Sequence, residues 1–425
     1  MAEKKSREKR EKEDRRRDRF WRFIVPKAAL WACIRFGYSY EPVDTAGIEG
    51  PLLVVINHAS AYDPIFLGVA FRDRPLTFVA SEHLLRSKWG PFLDRVSYII
   101  PHRKGARSSR TALVAMKRIK KGESVFLAAE GEQTWNGRPL PVMPYTGRLV
   151  KGSGATLVTY LIEGAYLSAP RWALSTRRGR VFGRPAGVYS PEVLKGMSDE
   201  EVEELIAKDL SFDTWEWQKS RSEGPVRYKC SKGGNAEGLE RSVFTCPSCG
   251  AFGMLSSKGD CIGCSCGFSV RMSDTGFFEA GSPFETAAEW EEADRAALKK
   301  RLDSLISGDT NETTKGAERA ADSGRAAGED IVFTDDCVVL HRIGVDHSDE
   351  EAARGRLTLS FTDDRFTLSV GDLSFDLADL SGMTMVLANR IVFSDNSGYY
   401  EVLADKKKRT NLRKYVVARD LIKGD

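Results

Sequence analysis

Leu52-Leu53-Val54-Val55-Ile56 constrains this chain more than any other stretch, because five apolar residues follow one another with no polar residue in alternation. A strand with alternating character can leave one face in water, whereas an uninterrupted apolar run must be covered on both faces, as in parallel sheets packed between helices. The run gives way to a polar segment, Asn57-His58-Ala59-Ser60-Ala61-Tyr62-Asp63. Side chains at the carboxyl end of such a strand commonly face a ligand-binding cleft. A carboxylate bonded to one imidazole nitrogen fixes the tautomer and leaves the other nitrogen to take a proton from a hydroxyl. His58 and Asp63 are therefore a candidate base and its orienter. In a continuous helix, residues five apart stand about 140° apart around the axis. The two meet only if His58 lies in a strand-to-helix turn, and the local sequence permits one. A structural histidine beside an aspartate is the plainer reading of the spacing by itself.

Further apolar runs alternate with helical patterns from Pro51 to Pro170, as an α/β layer requires. The expected strands are Leu52 to Ile56, Leu76 to Ala80, Val96 to Ile100, Ser124 to Ala128 and Leu157 to Ile162. Asp63 to Phe71 and Arg107 to Lys121 read as helices between them. Ser198-Asp199-Glu200-Glu201 opens another helix as a capping box. Two of the strands end in polar groups. Ser97-Tyr98-Ile99-Ile100-Pro101 leads to His102-Arg103-Lys104, and Val125-Phe126-Leu127-Ala128-Ala129 leads to Glu130-Gly131-Glu132. In a shared sheet, His58, Arg103 and Glu130 would reach one edge, although each taken singly is also an ordinary surface or turn residue.

The order of these three segments resembles the glycerolipid acyltransferase family, of the 1-acylglycerol-3-phosphate type, over roughly residues 20 to 215. That family carries Asn-His, four residues and Asp; then a strand ending in Arg; then Glu-Gly-Thr-Arg. Asn57, His58 and Asp63 match the first motif, Arg103 the second, and Glu130 with Gly131 the third. The resemblance implies that His58 deprotonates an acceptor hydroxyl while Asp63 holds its ring. The hydroxyl then attacks the thioester of acyl-CoA or acyl carrier protein, and backbone amides at the start of the next helix stabilise the oxyanion. It further implies that Asn57, Arg103, Glu130 and Gly131 bind substrate, with Arg103 on an acceptor phosphate. Two departures stand out: Glu132-Gln133 replaces Thr-Arg, and Leu157-Val158-Thr159-Tyr160-Leu161 lacks the proline of a fourth motif. Arg138, Arg148 and Lys151 are the candidate replacements for the missing cation.

Eight cysteines lie mostly between Cys230 and Cys266, in a chain with no secretion pattern at its start, which favours metal over disulfides. Cys246-Pro247-Ser248-Cys249-Gly250 reads as a metal knuckle, and Cys261, Cys264 and Cys266 compete to complete it. The expected set is Cys246, Cys249, Cys264 and Cys266, chosen because Cys266-Gly267 repeats the Cys-Gly ending. This segment resembles a zinc ribbon, and four thiolates would make the zinc structural. Basic and aromatic residues are not concentrated around it, which argues against nucleic acid as a partner.

Charge places the chain further. The net charge of +4 over 425 residues is small, but the first nineteen hold ten Lys or Arg. Residues 1–19 read as a basic disordered arm. Phe20 to Phe36, interrupted by Arg22, Lys27 and Arg35, is too charged to span a bilayer and suits a helix lying in the headgroup layer. An amphipathic helix packed on its own domain is the alternative. From Ile331 the apolar period becomes two, through Leu357, Leu359 and Phe361 and then Phe366, Leu368 and Val370, and Arg413 to Lys423 closes the chain as a helix. That outline resembles a pleckstrin-homology-like β domain.

The expected organisation is a basic arm at 1–19, an acyltransferase domain with its membrane-interface helix at 20–225, a zinc ribbon at 226–275, a helix and linker at 276–330, and the β domain at 331–425. The expected fold class is a mixed α/β sheet with flanking helices, joined to a small ribbon and a barrel-like β domain. The expected function is lysophospholipid acylation at the cytoplasmic face of a membrane, with lipids and an acyl carrier as partners and with no signal peptide or transmembrane span. The rivals are a catalytically inactive lipid-sensing scaffold and an acyltransferase for a non-phosphate lipid.

Overall fold

The structure, a computed structural model, describes residues 2–87, 90–97, 99–105, 110–308, 330–344, 347–405 and 407–424. They divide into two compact units, one formed by the chain up to Ser231 apart from two short excursions, the other chiefly by the chain from Lys232.

The main strands of the first unit are β1 (Tyr38–Tyr40), β2 (Leu52–Ile56), β3 (Leu76–Ser81), β4 (Ile100–His102), β5 (Ser124–Ala128), β6 (Thr156–Glu163) and β7 (Val181–Tyr189). Among the described residues they form one seven-stranded mixed sheet in the order β1-β7-β6-β2-β5-β3-β4. β6 and β7 are antiparallel and every other neighbouring pair is parallel. β2 therefore lies at the centre, and all five of its residues are fully buried, as its unbroken apolar run requires. One face packs Leu53, Val55, Val125 and Leu157 against Ala115 and Ile119 of α3 (Arg110–Ile119), Val150 of α4 (Thr146–Ser153) and Val202, Ile206 and Leu210 of α5 (Asp199–Leu210). The Ser198–Glu201 capping box holds the start of α5 in both directions.

On the other side are α1 (Ala2–Phe36) and α2 (Asp63–Ala70). Trp21, Val25, Ala32 and Phe36 of α1 are buried, and Phe36 meets Phe66 of α2 at 5.4 Å between ring centroids. The backbone is helical from Ala2 to Phe36, so residues 2–19, expected as a separate arm, lie in the same helix as Phe20–Phe36. A second difference concerns Val96 to Ile100. Gly90–Ser97 is a helix, with Pro91 in its first turn where proline is well tolerated, and the strand is reduced to Ile100–His102. Residues 106–109, which begin the expected Arg107–Lys121 helix, lie outside the described residues, as does 309–329 of the expected linker.

In the second unit, β8 (Leu255–Lys258), β9 (Cys261–Cys264) and β10 (Ser269–Arg271) form a small antiparallel sheet. The helix α6 (Ala287–Ser307) is tied to the segment just before Cys246 through Asp294, whose buried carboxylate accepts from the Phe244 and Thr245 amides at 2.8 and 2.9 Å. Trp290 of α6 donates to the Thr245 carbonyl and is ringed by Phe268, Phe278 and Phe284. The remaining strands are β11 (Asp330–Ile343), β12 (Asp349–Thr362), β13 (Arg365–Val370), β14 (Leu373–Asp376), β15 (Gly382–Val386), β16 (Arg390–Ser394) and β17 (Tyr399–Ala404). They form an antiparallel sheet in the order β14-β13-β12-β11-β17-β16-β15, followed by α7 (Arg413–Lys423).

Candidate active site

Four parallel strands bring polar residues to the carboxyl edge of the first sheet. His58 leaves β2, Glu130 leaves β5, and Glu82 and Arg103 leave β3 and β4. The dyad forms where β2 turns into α2, of which Asp63 is the first residue. Ser60 O accepts the Asp63 amide at 3.2 Å and closes the turn. Asp63 Oδ2 then accepts from His58 Nδ1 at 2.8 Å and from the Ala59 and Ser60 amides at 2.9 Å each. A carboxylate can only accept, so the His58 proton sits on Nδ1 and Nε2 keeps its lone pair. Asp63 is wholly buried, and its Oδ1 has no hydrogen-bond donor among the described residues. Burial pushes the Asp63 carboxyl up, while His58 and the two amides pull it down. The imidazole is about a quarter exposed, so it can be reached from outside while its support cannot.

The loop after β5 braces this turn. Glu130 Oε2 accepts the His58 amide at 3.2 Å, Gln133 Nε2 donates to the Ala59 carbonyl at 3.2 Å, and the Thr134 amide donates to the His58 carbonyl at 3.0 Å. Burial raises the Glu130 carboxyl to about 8, against the pull of the His58 and Leu140 amides. Gly131 has φ +66°, and a Cβ there would stand 2.2 Å from the Met143 sulfur. Gln133, which occupies the place of the expected arginine, is buried and serves the backbone of the dyad turn.

Asn57 is also buried. Its Nδ2 donates to the Ile162 carbonyl at 3.0 Å and its Oδ1 accepts the Ile162 amide at 2.9 Å, which fastens β2 to β6 below the dyad. Arg103 is held by Glu82, whose two oxygens each lie 3.0 Å from its Nε. It stands three strands from His58, roughly 14 Å at ordinary strand spacing. Of the three candidates for the missing cation, Arg138 pairs with Asp213, Lys151 pairs with Asp199 and Arg148 is exposed. The cation beside Glu132 is Arg171, at 3.3 Å, with its guanidinium 4.6 Å from the centre of the Trp135 ring. Nothing in its spacing marked Arg171, because it arrives after β6 and only the sheet brings it to this edge. Glu82 had a weak signal, as an acid directly after a strand.

The amides of His58, Ala59, Ser60, Tyr62 and Asp63 all have acceptors. The exposed Ala61 amide is the member of that turn with no acceptor among the described residues.

Residues 37–163 match the acyltransferase family. The matched acyltransferase segment runs from just before β1 to the last residue of β6, and so includes the dyad, Arg103 and the Glu130 loop. Among solved structures, the chain is similar to the 1-acyl-sn-glycerophosphate (LPA) acyltransferase PlsC from Thermotoga maritima, with 19% identity and a TM-score of 0.40 over 48% of this chain and 80% of that one. No curated protein matches the chain.

A second cluster lies in the other unit. Cys246, Cys249, Cys264 and Cys266 place their sulfurs within 4.8 Å of one another. The Cys246–Cys266 and Cys249–Cys264 separations are 3.7 and 3.9 Å. Four sulfurs at roughly 2.3 Å from a tetrahedral zinc would stand roughly 3.8 Å apart, so the donor set fits a metal ion of that kind. Backbone N–H groups also point at the sulfurs: Ser248 and Cys249 toward Cys246, and Phe268 toward Cys266, whose thiol is lowered to about 7. Cys261 is outside the cluster, at the far end of β9.

Proposed function

We propose that this protein is a lysophospholipid acyltransferase. It moves a fatty acyl group from acyl-CoA or acyl carrier protein to the free hydroxyl of 1-acylglycerol 3-phosphate or a related lysolipid. The observation that carries this reading is the His58 Nδ1–Asp63 Oδ2 bond of 2.8 Å, made to a fully buried carboxylate within the segment similar to acyltransferases.

In this mechanism His58 Nε2 takes the proton of the acceptor hydroxyl as its oxygen attacks the thioester carbonyl. Asp63 stabilises the imidazolium that forms. The Ala61 amide donates to the oxyanion, a contact that strengthens as charge develops there. Collapse of the tetrahedral intermediate breaks the carbon–sulfur bond, and the departing thiolate takes the proton back from His58. Arg103 contacts the acceptor head, Asn57 and Glu130 hold the frame, and Gly131 lets the bracing loop turn. No acyl-enzyme is needed.

Other surfaces support the membrane and metal parts of this reading. Phe23, Leu30, Trp31 and Ile34 form an exposed apolar stripe on α1, between 41% and 62% accessible, beside Arg22, Lys27 and Arg35. No helix among the described residues is long and apolar enough to cross a membrane. The stripe suits a helix lying in an anionic headgroup layer, on the cytoplasmic face where an acyl carrier is at hand. We assign the four-cysteine cluster to a structural zinc ribbon, and the C-terminal sheet with α7 to a pleckstrin-homology-like module.

Thiol release from acyl-CoA in the presence of lysolipids tests the central claim. Release that depends on the acceptor and is abolished in His58→Ala supports it; lipid binding without release for any donor and acceptor points to the scaffold instead.

A further inference from the structure

Two ion pairs stand at the same edge of the sheet as the dyad, and their more exposed members carry opposite charges. In the pair at the end of β3 and β4, Arg103 is the accessible member, with 24% of its side chain exposed against 4% for Glu82. In the pair on the bracing loop the order is reversed. Arg171 is 5% exposed and Glu132 is 32% exposed. Arg171 is also fixed from behind, by the Gln133 carbonyl at 3.4 Å and by the Trp135 ring. Glu132 has little freedom to leave. It stands between Glu130 and Gln133, both of which bond to the backbone of His58 and Ala59.

From this arrangement, and resting on the acyl-transfer reading, we infer that the acceptor is a zwitterionic lysophospholipid, with its phosphodiester toward Arg103 and its cationic end toward Glu132. A phosphate monoester brings two negative charges to an edge where the accessible cation is already shared with a carboxylate and where a second carboxylate faces outward. A neutral glycerolipid satisfies neither Arg103 nor Glu132. A phosphodiester joined to an ammonium group offers one charge to each. The strands that lead to the two residues, β5 and β4, are two positions apart, roughly 10 Å, a span that two long side chains shorten further.

Initial rates with one acyl-CoA and three acceptors of the same chain length provide the test: lysophosphatidylcholine, 1-acylglycerol 3-phosphate and monoacylglycerol. The wild type is expected to show a kcat/KM for lysophosphatidylcholine about tenfold above either of the others, the size of effect expected for one charge pair near a surface. Glu132→Gln keeps the shape and removes the charge, and should lower that value while raising the one for 1-acylglycerol 3-phosphate. Because acceptors are compared within one preparation, partial misfolding of the variant cancels from the ratio. Preference for 1-acylglycerol 3-phosphate or monoacylglycerol in the wild type overturns the inference and leaves acyl transfer standing, as does an unchanged acceptor ratio in Glu132→Gln. Absence of transfer to all three overturns the acyl-transfer reading and this inference with it.

Discussion

Asp63 does two jobs with one oxygen. Its Oδ2 orients His58 and also collects the Ala59 and Ser60 amides, so the carboxylate builds the turn that brings the imidazole to it. Asp63→Asn would place at best one acceptor among three donors and put an amide against the ring. Its kcat should fall by about 10²-fold or more while the acceptor KM changes little, measured as acceptor-dependent thiol release. Glu130 carries a pH signature. Its folded value of about 8 lies above its ordinary value, so between roughly pH 4.5 and 8 the folded protein keeps a proton that the unfolded chain has released. Unfolding then releases a proton, and stability is lost as the pH rises through that window. Glu130→Gln removes this dependence. Relative to the wild type it should gain at most about 1.4 kcal/mol per pH unit in urea unfolding, and a difference independent of pH would contradict the burial argument.

At the scale of elements, the turn after β5 and the first helix make separate demands. Gly131 combines a positive φ with a neighbouring sulfur where a Cβ would go. Gly131→Ala should cost about 1–3 kcal/mol of stability and loosen the brace on His58, seen as a lower kcat in the folded fraction. The helix α1 buries one stripe on its own unit and leaves another outside. If Phe23, Leu30, Trp31 and Ile34 enter the headgroup layer, replacing Leu30 and Ile34 by Ser removes about 2–4 kcal/mol of apolar transfer. Binding to anionic vesicles in a sedimentation assay should drop at least about tenfold, with no loss of thermal stability because neither residue is part of the core.

For the whole molecule, the His58–Asp63 pair and the four-cysteine cluster belong to different units. A metal held by the four cysteines would supply part of the folding energy of this segment. Purified protein should contain about one zinc per chain, and Cys264→Ser should lose it. Chelation should lower the unfolding temperature of the wild type and leave that of Cys264→Ser unchanged.

The sequence by itself determined what is local. The apolar run of β2 demanded cover on both faces and received it, the period-two pattern after Ile331 became an antiparallel sheet, and the Ser198 capping box formed as spaced. His58 and Asp63 were legible as a pair because five residues across a strand-to-helix turn are a local matter. Local signals were weaker where alternatives were close in energy, as in the helix at Gly90–Ser97 that had read as a strand. Only the tertiary structure decided which distant groups meet. It set Glu82 against Arg103, Gln133 beneath Ala59, Asn57 across to Ile162, and Arg171 behind Glu132. Those contacts depend on strand order and on the path of loops between strands. Neither follows from spacing along the chain, since a sheet joins residues by lateral pairing.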